Sequence, residues 1–184
     1  MLTLIFNGSP RPRGDTAGLI DLLTAQLPGE VKVIRAYAAG ISPCVDCRHC
    51  WQHPGCTVKD GWAEIDRLIR ESDNIIIASP IYFSELTGPL LSLMTRLQQY
   101  FSARFFRCEE PIEKPKKGGI VLVGGGDGHM STASETAATL LHHMNCRNIA
   151  PAVCVHNTNR TPAPEEPGIA EKITELASFF KHRE

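Results

Sequence analysis

Five short runs rich in Val, Ile and Leu, at residues 2–6, 31–36, 74–79, 119–124 and 149–155, alternate with segments whose apolar residues recur at helical spacing. Several of these runs lack polar alternation, as strands covered on both faces do. The helical segments are marked by Leu19, Leu22, Leu23 and Leu27; by Ile65, Leu68 and Ile69; by Leu90, Met94, Leu97 and Phe101; by Ala137, Leu140, Leu141 and Met144; and by Ile169, Ile173, Leu176 and Phe180. Asp15 and Asp60 read as helix N-caps, and Thr132 with Glu135 as a capping box. Parallel neighbours need helical crossovers of one hand. The alternation therefore predicts an α/β fold in three layers, a doubly wound five-stranded parallel sheet, and 184 residues suit a single domain, 1–184.

In such a sheet the ligand crevice lies at the carboxyl ends of the strands, where strand order reverses. The connections there read NGSPRPRGDT after the first strand, a 24-residue stretch at 37–60 with four cysteines after the second, PIYFSELTG after the third and GGDGHMS after the fourth. The Pro-rich NTNRTPAPEEPG reads as an ordinary connection into the last helix. With 19 Lys and Arg against 20 Asp and Glu, the net charge of −1 gives no global field for nucleic acid or an anionic membrane. Any phosphate must be gripped locally. The N-terminal apolar run stops at Phe6 with no basic stretch before it, and no later run approaches the roughly 20 residues of a membrane span, so a soluble cytoplasmic protein is expected. Seven cysteines, four of them within thirteen positions, fit reduced thiols around one local metal or redox site better than a secreted disulfide framework. Cys108, Cys146 and Cys154 read as small buried hydrophobes.

The first connection places Ser9, Arg11, Arg13, Asp15 and Thr16 at a helix N-terminus, where free N–H groups and guanidinium suit a phosphate. It lacks the Gly-Lys-Ser/Thr of a Walker loop and is not G-x-G-x-x-G; a polar surface loop with a helix cap is the alternative. Ser79, Pro80, Ile81, Tyr82, Phe83 and Ser84 can wall a flat heteroaromatic ring and bond its edge, or Tyr82 and Phe83 can seal the sheet edge. Gly124, Gly125, Gly126 and Gly128 would let backbone approach a ring, with Asp127 and His129 at its polar edge; a flexible turn is the alternative. His142 and His143 read as surface or interface residues.

The stretch PCVDCRHCWQHPGC has the spacing C-x2-C-x2-C-x5-C. Cys44, Cys47 and Cys50 can hold three corners of a cubane from one tight loop and Cys56 can close the fourth, which suggests [4Fe–4S] although the spacing departs from the bacterial ferredoxin run. Zinc, with His49 or His53 replacing one thiolate, and a metal-free thiol loop stay open. Tyr100, Phe101, Phe105 and Phe106 crowd one helix end, as an oligomer contact or as core.

NGSPRPRGDT resembles the phosphate loop of the flavodoxin-like NADPH-dependent FMN reductase family, SPIYFSELTG its flavin loop and GGGDGHM its third loop; the likeness covers nearly the whole chain. The resemblance implies strand order 2-1-3-4-5 and an FMN whose phosphate rests on Ser9, Arg11, Arg13, Asp15 and Thr16, with the backbone of 80–84 against the ring. The cysteine motif resembles that of the iron-sulfur flavoproteins, a branch of the same group that carries FMN and a [4Fe–4S] cluster per subunit. They act as dimers or larger assemblies that pass electrons between the two centres. That likeness implies a homodimer or homotetramer using NAD(P)H or a redox partner protein and a small-molecule acceptor, with no side chain needed as acid or base. The alternatives are an NAD(P)H-dependent FMN or quinone reductase without a cluster, and a non-enzymatic electron carrier. A receiver-like signalling domain is disfavoured, because Asn7 and Ser79 stand where its magnesium-binding acids would be.

Overall fold

A computed structural model describes residues 1–181. Strands β1 Leu2–Asn7, β2 Glu30–Arg35, β3 Asn74–Pro80, β4 Lys116–Val123, β5 Cys146–Ile149 and β6 Val153–Val155 form one sheet of order β2-β1-β3-β4-β5, with β6 also pairing β4. Every pairing is parallel. This is the expected flavodoxin-like doubly wound fold, its fifth strand broken in two. The run 149–155 cannot continue as one strand because residues 150–152 carry Pro151, which has no N–H for the ladder. The second strand departs from expectation as well: it lies at the sheet edge and exposes most of its residues, so it is not covered on both faces.

The helices are α1 Asp15–Thr24, the single turn α2 His49–Gln52, α3 Trp62–Glu71, α4 Gly88–Met94, α5 Gln98–Phe106, α6 Ser131–His143 and α7 Ile169–Lys181. A 3-10 turn at Thr95–Leu97 joins α4 to α5, where the apolar spacing predicts one unbroken helix. Alternate strand residues face opposite layers. Ile5, Ile76 and Val121 pack with Leu19 and Leu23 of α1 and Phe180 of α7. Leu4, Phe6, Ile75, Ile77 and Leu122 pack with α3, α4 and α6.

Three helix starts differ from expectation. The N-caps are Gly14, Gly61 and Met130 rather than Asp15, Asp60 and Thr132, and none makes a side-chain cap bond. Asp15 is instead turned to the far loop, accepting from Ala163 N at 2.8 Å. Asp60 still serves the helix from one position earlier, accepting from Trp62 N at 3.0 Å. Met130 is buried, so the chain enters α6 through an apolar anchor and no capping box forms at Thr132. Among the scattered cysteines Cys146 is buried as expected and its thiol is pushed up to about 12 by burial, but Cys108 is exposed in the left-handed region at φ 55°.

Candidate functional site

Two cavities adjoin the carboxyl edge of the sheet. The first lies between the connections after β1, β3 and β4, at the switch point where strand order reverses. Ser9, Pro10, Arg11, Gly14, Asp15 and Thr16 form one wall. Pro80, Ile81, Tyr82, Val123 and Gly125 form the other. The floor is made by backbone: Gly8 N donates to Ala78 O and Thr87 Oγ1 donates to Gly8 O, both at 2.8 Å. Gly8 is needed there, since a Cβ would lie 2.7 Å from Ser79 Oγ and 2.9 Å from both Leu90 and Thr87. Ser9 N donates to Asn7 Oδ1 at 2.8 Å and Arg11 N to Ser9 Oγ at 3.2 Å, which curls the loop over the start of α1. With Gly14 as N-cap and no side chain on the first turn's N–H groups, α1 offers its positive end to the crevice.

Of the phosphate-loop candidates, Ser9, Arg11, Asp15 and Thr16 line this crevice, whereas Arg13 is exposed and outside the lining. The Asp15 carboxylate is occupied by Ala163 N, which leaves its backbone N–H as what it can offer a phosphate. Pro80, Ile81 and Tyr82 face the crevice, but Phe83 and Ser84 do not line it. They form the tip of a tight reversal in which Tyr82 and Glu85 exchange backbone hydrogen bonds. Both tip residues have positive φ, 54° and 63°, and Phe83 is wholly exposed. This is the geometry of a type I′ turn without its usual Asn or Gly, a strained arrangement at the crevice rim. Glu85 pins the turn from below, accepting from Thr136 Oγ1 at 2.8 Å. In the third connection Gly124 is buried and Gly125 lines the crevice; Gly126, Asp127, Gly128 and His129 are exposed and lie outside its wall.

The NTNR stretch belongs to the crevice and is not a plain connection. Thr158 N donates to Gly124 O at 3.1 Å and Asn159 N to Gly125 O at 3.2 Å, so both residues reach the wall. A Cβ on Gly125 would meet the Asn159 side-chain nitrogen at 2.8 Å. These polar residues follow the carboxyl end of the last strand after His156, where a doubly wound sheet places its crevice.

The second cavity is built by the 37–60 segment against α5. Cys44, Cys47, Cys50 and Cys56 all line it, together with His49, Arg96 and Ser102. Asp46 and Arg48 sit in the left-handed region at φ 49° and 61°, which curls the loop so that its N–H groups turn inward. Asp46 N donates to Cys44 Sγ at 3.4 Å. The Cys47 thiol is held below its ordinary value, first by its hydrogen bond to Thr57 and then by the His49 N–H. Trp51, which also lines the cavity, stacks on Phe106 at 3.9 Å, and Arg107 donates to Cys50 O. Tyr100 is fully buried, so the aromatic residues left exposed on α5 are Phe101, Phe105 and Phe106.

One side chain of this cavity has no motif to announce it. Arg96 is buried, and only its Nη1 is used, donating to Ser42 O at 2.9 Å and to Asp60 Oδ2 at 2.8 Å. Its Nε and Nη2 are buried without any partner. Leaving a buried donor bare costs about 1–3 kcal/mol, more when it is charged. The signal in the sequence was a lone arginine inside the apolar run Leu90, Leu93, Met94 and Leu97. Burial alone would raise the Asp60 carboxyl, but bonds from Arg96, Trp62 N and Ser42 N outweigh it and hold it below the usual carboxylate range.

Among the described residues no three Cys, His, Asp or Glu side chains are drawn together for a single metal ion. A zinc ion, with sulfur at about 2.3 Å, would gather its four ligands within about 4 Å of one another. The four thiols line one cavity without being gathered for such an ion. Tyr37, at the start of the cysteine segment, has its phenol raised by burial and by neighbouring Tyr82, which lines the first cavity. A wider cavity of about 440 Å³ lies behind the cysteine loop, but its charges are spent internally, with Arg107 on Glu109 at 2.9 Å and Lys114 on Asp73 at 2.9 Å. No helix of the described residues is long and apolar enough to cross a membrane.

Comparison with known proteins adds three findings. The family model described as NADPH-dependent FMN reductase matches residues 1–160. An iron-sulfur flavoprotein of Archaeoglobus fulgidus is 30% identical over 124 residues, 66% of this chain and 53% of that protein. One of Methanocaldococcus jannaschii is 30% identical over 146 residues, 78% of this chain and 70% of that protein. The chain thus spans about half of the first relative and over two thirds of the second. Among solved structures, the NAD(P)H:quinone oxidoreductase from Methanothermobacter marburgensis superposes with a TM-score of 0.73 at 13% identity, covering 100% of this chain and 96% of that one. An azoreductase from Bacillus anthracis gives 0.69 at 15% identity, covering 98% and 100%. At such identities the likeness is one of fold.

Proposed function

The chain belongs to the NADPH-dependent FMN reductase family, and from that premise we propose that it is an FMN-dependent oxidoreductase of the iron-sulfur flavoprotein kind, moving electrons between a [4Fe–4S] cluster, a flavin and an acceptor. The observation that carries this reading is the second cavity, lined by four thiols and by a buried guanidinium with two nitrogens unpartnered among the described residues. Such a lining suits contents that are anionic and rich in sulfur. The names of the relatives agree with it.

The residues of the first cavity fit FMN. Ser9, Arg11, Thr16 and the N–H groups at the start of α1 would hold its phosphate, while Pro80, Ile81, Tyr82, Gly124 and Gly125 would border its ring and Thr158 and Asn159 its edge. When bound, FMN supplies one- and two-electron chemistry at a single centre. The protein's part is to hold the phosphate, orient the ring and keep the wall against Val123 dry. Cys44, Cys47, Cys50 and Cys56 would hold the cluster, which supplies single-electron steps. No side chain in either cavity is required as an acid or base.

The FMN assignment is tested by comparing FMN with riboflavin. Arg11→Ala and Thr16→Ala should weaken FMN by about 10- to 100-fold, the worth of lost charge-assisted bonds, and riboflavin little. Equal weakening of both ligands would move the phosphate elsewhere. A second reading, an NAD(P)H-dependent FMN or quinone reductase without a cluster, draws on the thiols not being gathered for a single ion. It requires rapid NADPH oxidation with added quinone by protein free of iron.

A further inference from the structure

We propose that Arg96 is the positioning residue of the thiol cavity: its Nε and Nη2 donate to the sulfur atoms of the iron-sulfur centre and supply the buried counter-charge for it. The inference rests on the cluster reading above and goes beyond it by assigning a residue outside the cysteine motif. Arg96 reaches the cavity from the 3-10 turn between α4 and α5, remote in sequence from the cysteines. Its planar fork has two working edges. Through Nη1 it ties Ser42 O to Asp60 Oδ2, the residues that bracket the cysteine segment on either side. Ser42 N also donates to Asp60 Oδ2 at 3.0 Å, which closes the base of the loop. Nε and Nη2 remain, buried and bare, on a side chain that lines the same cavity as the four thiols.

The surroundings leave two of the guanidinium's nitrogens without an acceptor among the described residues. Among the described residues Asp60 is the one carboxylate in ion pairing with it, and the Trp62 ring lies 5.3 Å from its central carbon. Thiolate ligands give an iron-sulfur centre acceptor atoms and negative charge, and hydrogen bonds to its sulfurs together with net charge set its potential. Arginine supplies both from a group that cannot lose its proton. A lysine would keep the charge but present a point donor where a fork is built in.

The test uses the anaerobically prepared holoprotein with FMN bound, comparing wild type with Arg96→Met, Arg96→Lys and the double variant Arg96→Met, Asp60→Asn. Two quantities are read: the rate of iron loss to a chelator, and the cluster midpoint potential by redox titration. FMN content reports that each variant is folded. Arg96→Met should lose iron at least about fivefold faster and titrate at a more negative potential, because the reduced, more negative centre loses more by removal of the cation. A tenfold loss of that preference corresponds to about 59 mV for one electron. Arg96→Lys should shift the same way by less, and it keeps the test decisive should the methionine variant misfold. The double variant removes the unpaired Asp60 charge and should recover only part of the loss, since the donors to sulfur are still missing. If the double variant regains wild-type retention and potential, Arg96 only anchors Asp60 and the proposal is overturned. Wild-type behaviour of both single variants overturns it too, with the cluster reading intact. A wild-type protein that takes up no iron overturns both together.

Discussion

The first connection and the cysteine segment leave neighbouring strands, β1 and β2, at the same edge of the sheet, yet they are held by opposite means. The first is fixed by backbone. Gly8 is locked between β3 and Thr87, Ser9 and Thr16 are buried, and the loop runs straight into α1. Such a loop is finished before any ligand arrives. The second is long and largely exposed, starts from an edge strand and has only the single turn α2 of its own. It is held by side chains: Thr95 Oγ1 accepts from Cys44 N at 2.8 Å, Arg96 closes its base and Trp51 lies on Phe106. A phosphate site needs only oriented N–H groups and so can be prepaid by the fold, whereas thiols converging on a shared centre owe part of their order to what they bind.

The largest expected effect separates the two regions outright. Cys56→Ser should abolish nearly all iron binding in anaerobically reconstituted protein and change FMN affinity less than about twofold, since the flavin crevice contains no cysteine. Parallel iron analysis and flavin fluorescence decide it; joint loss of FMN would mean that the regions are one folding unit. Next in size is the opposite lesion. Gly8→Ala pushes a methyl into Ser79, Leu90 and Thr87 and should cost about 1–3 kcal/mol in denaturant unfolding, with weakened FMN and unchanged iron content. A neutral Gly8→Ala would show the crevice floor to be more pliable than its contacts imply.

Trp51→Ala removes the stack on Phe106 and should cost about 0.5–1.5 kcal/mol beyond the lost burial, appearing as faster proteolysis of the 37–60 segment. FMN binding should not change. The smallest effect is on pH. Asp60 is depressed in the folded protein relative to its ordinary 3.8, so it contributes stability above that value which is lost as pH falls through the folded one. Asp60→Asn should therefore flatten the acid limb of stability below about pH 4, and a limb identical to that of wild type would remove Asp60 from the account.

The same contrast governs what the sequence discloses. The phosphate loop is local: Ser9, Arg11 and Thr16 are adjacent in sequence and in the crevice, so strand–loop–helix reading finds them. The parallel, covered sheet follows from unalternating apolar runs, whereas its strand order is legible only through the likeness of the loops to the FMN reductase family. Arg96 and Asp60 are 36 residues apart and meet only through packing, so no spacing rule joins them. Thr158 and Asn159 were hidden by composition, since a polar, Pro-rich stretch looks alike whether it crosses the surface or borders a crevice. The glycine run misled in the other direction. Its pliancy marked a close backbone approach: Gly124, Gly125 and Gly126 accept from Thr158, Asn159 and Asn157, but Asp127 and His129 are exposed and outside the crevice wall.

The most direct measurement is the content of one anaerobic preparation, purified and reconstituted without oxygen, with iron, acid-labile sulfide and flavin determined on the same sample. About four irons, four sulfides and one FMN per chain are expected, with the iron lost on exposure to air and the FMN retained. One FMN per chain with no iron, together with rapid NADPH oxidation when quinone is added, would contradict the account and leave a plain flavin reductase in its place.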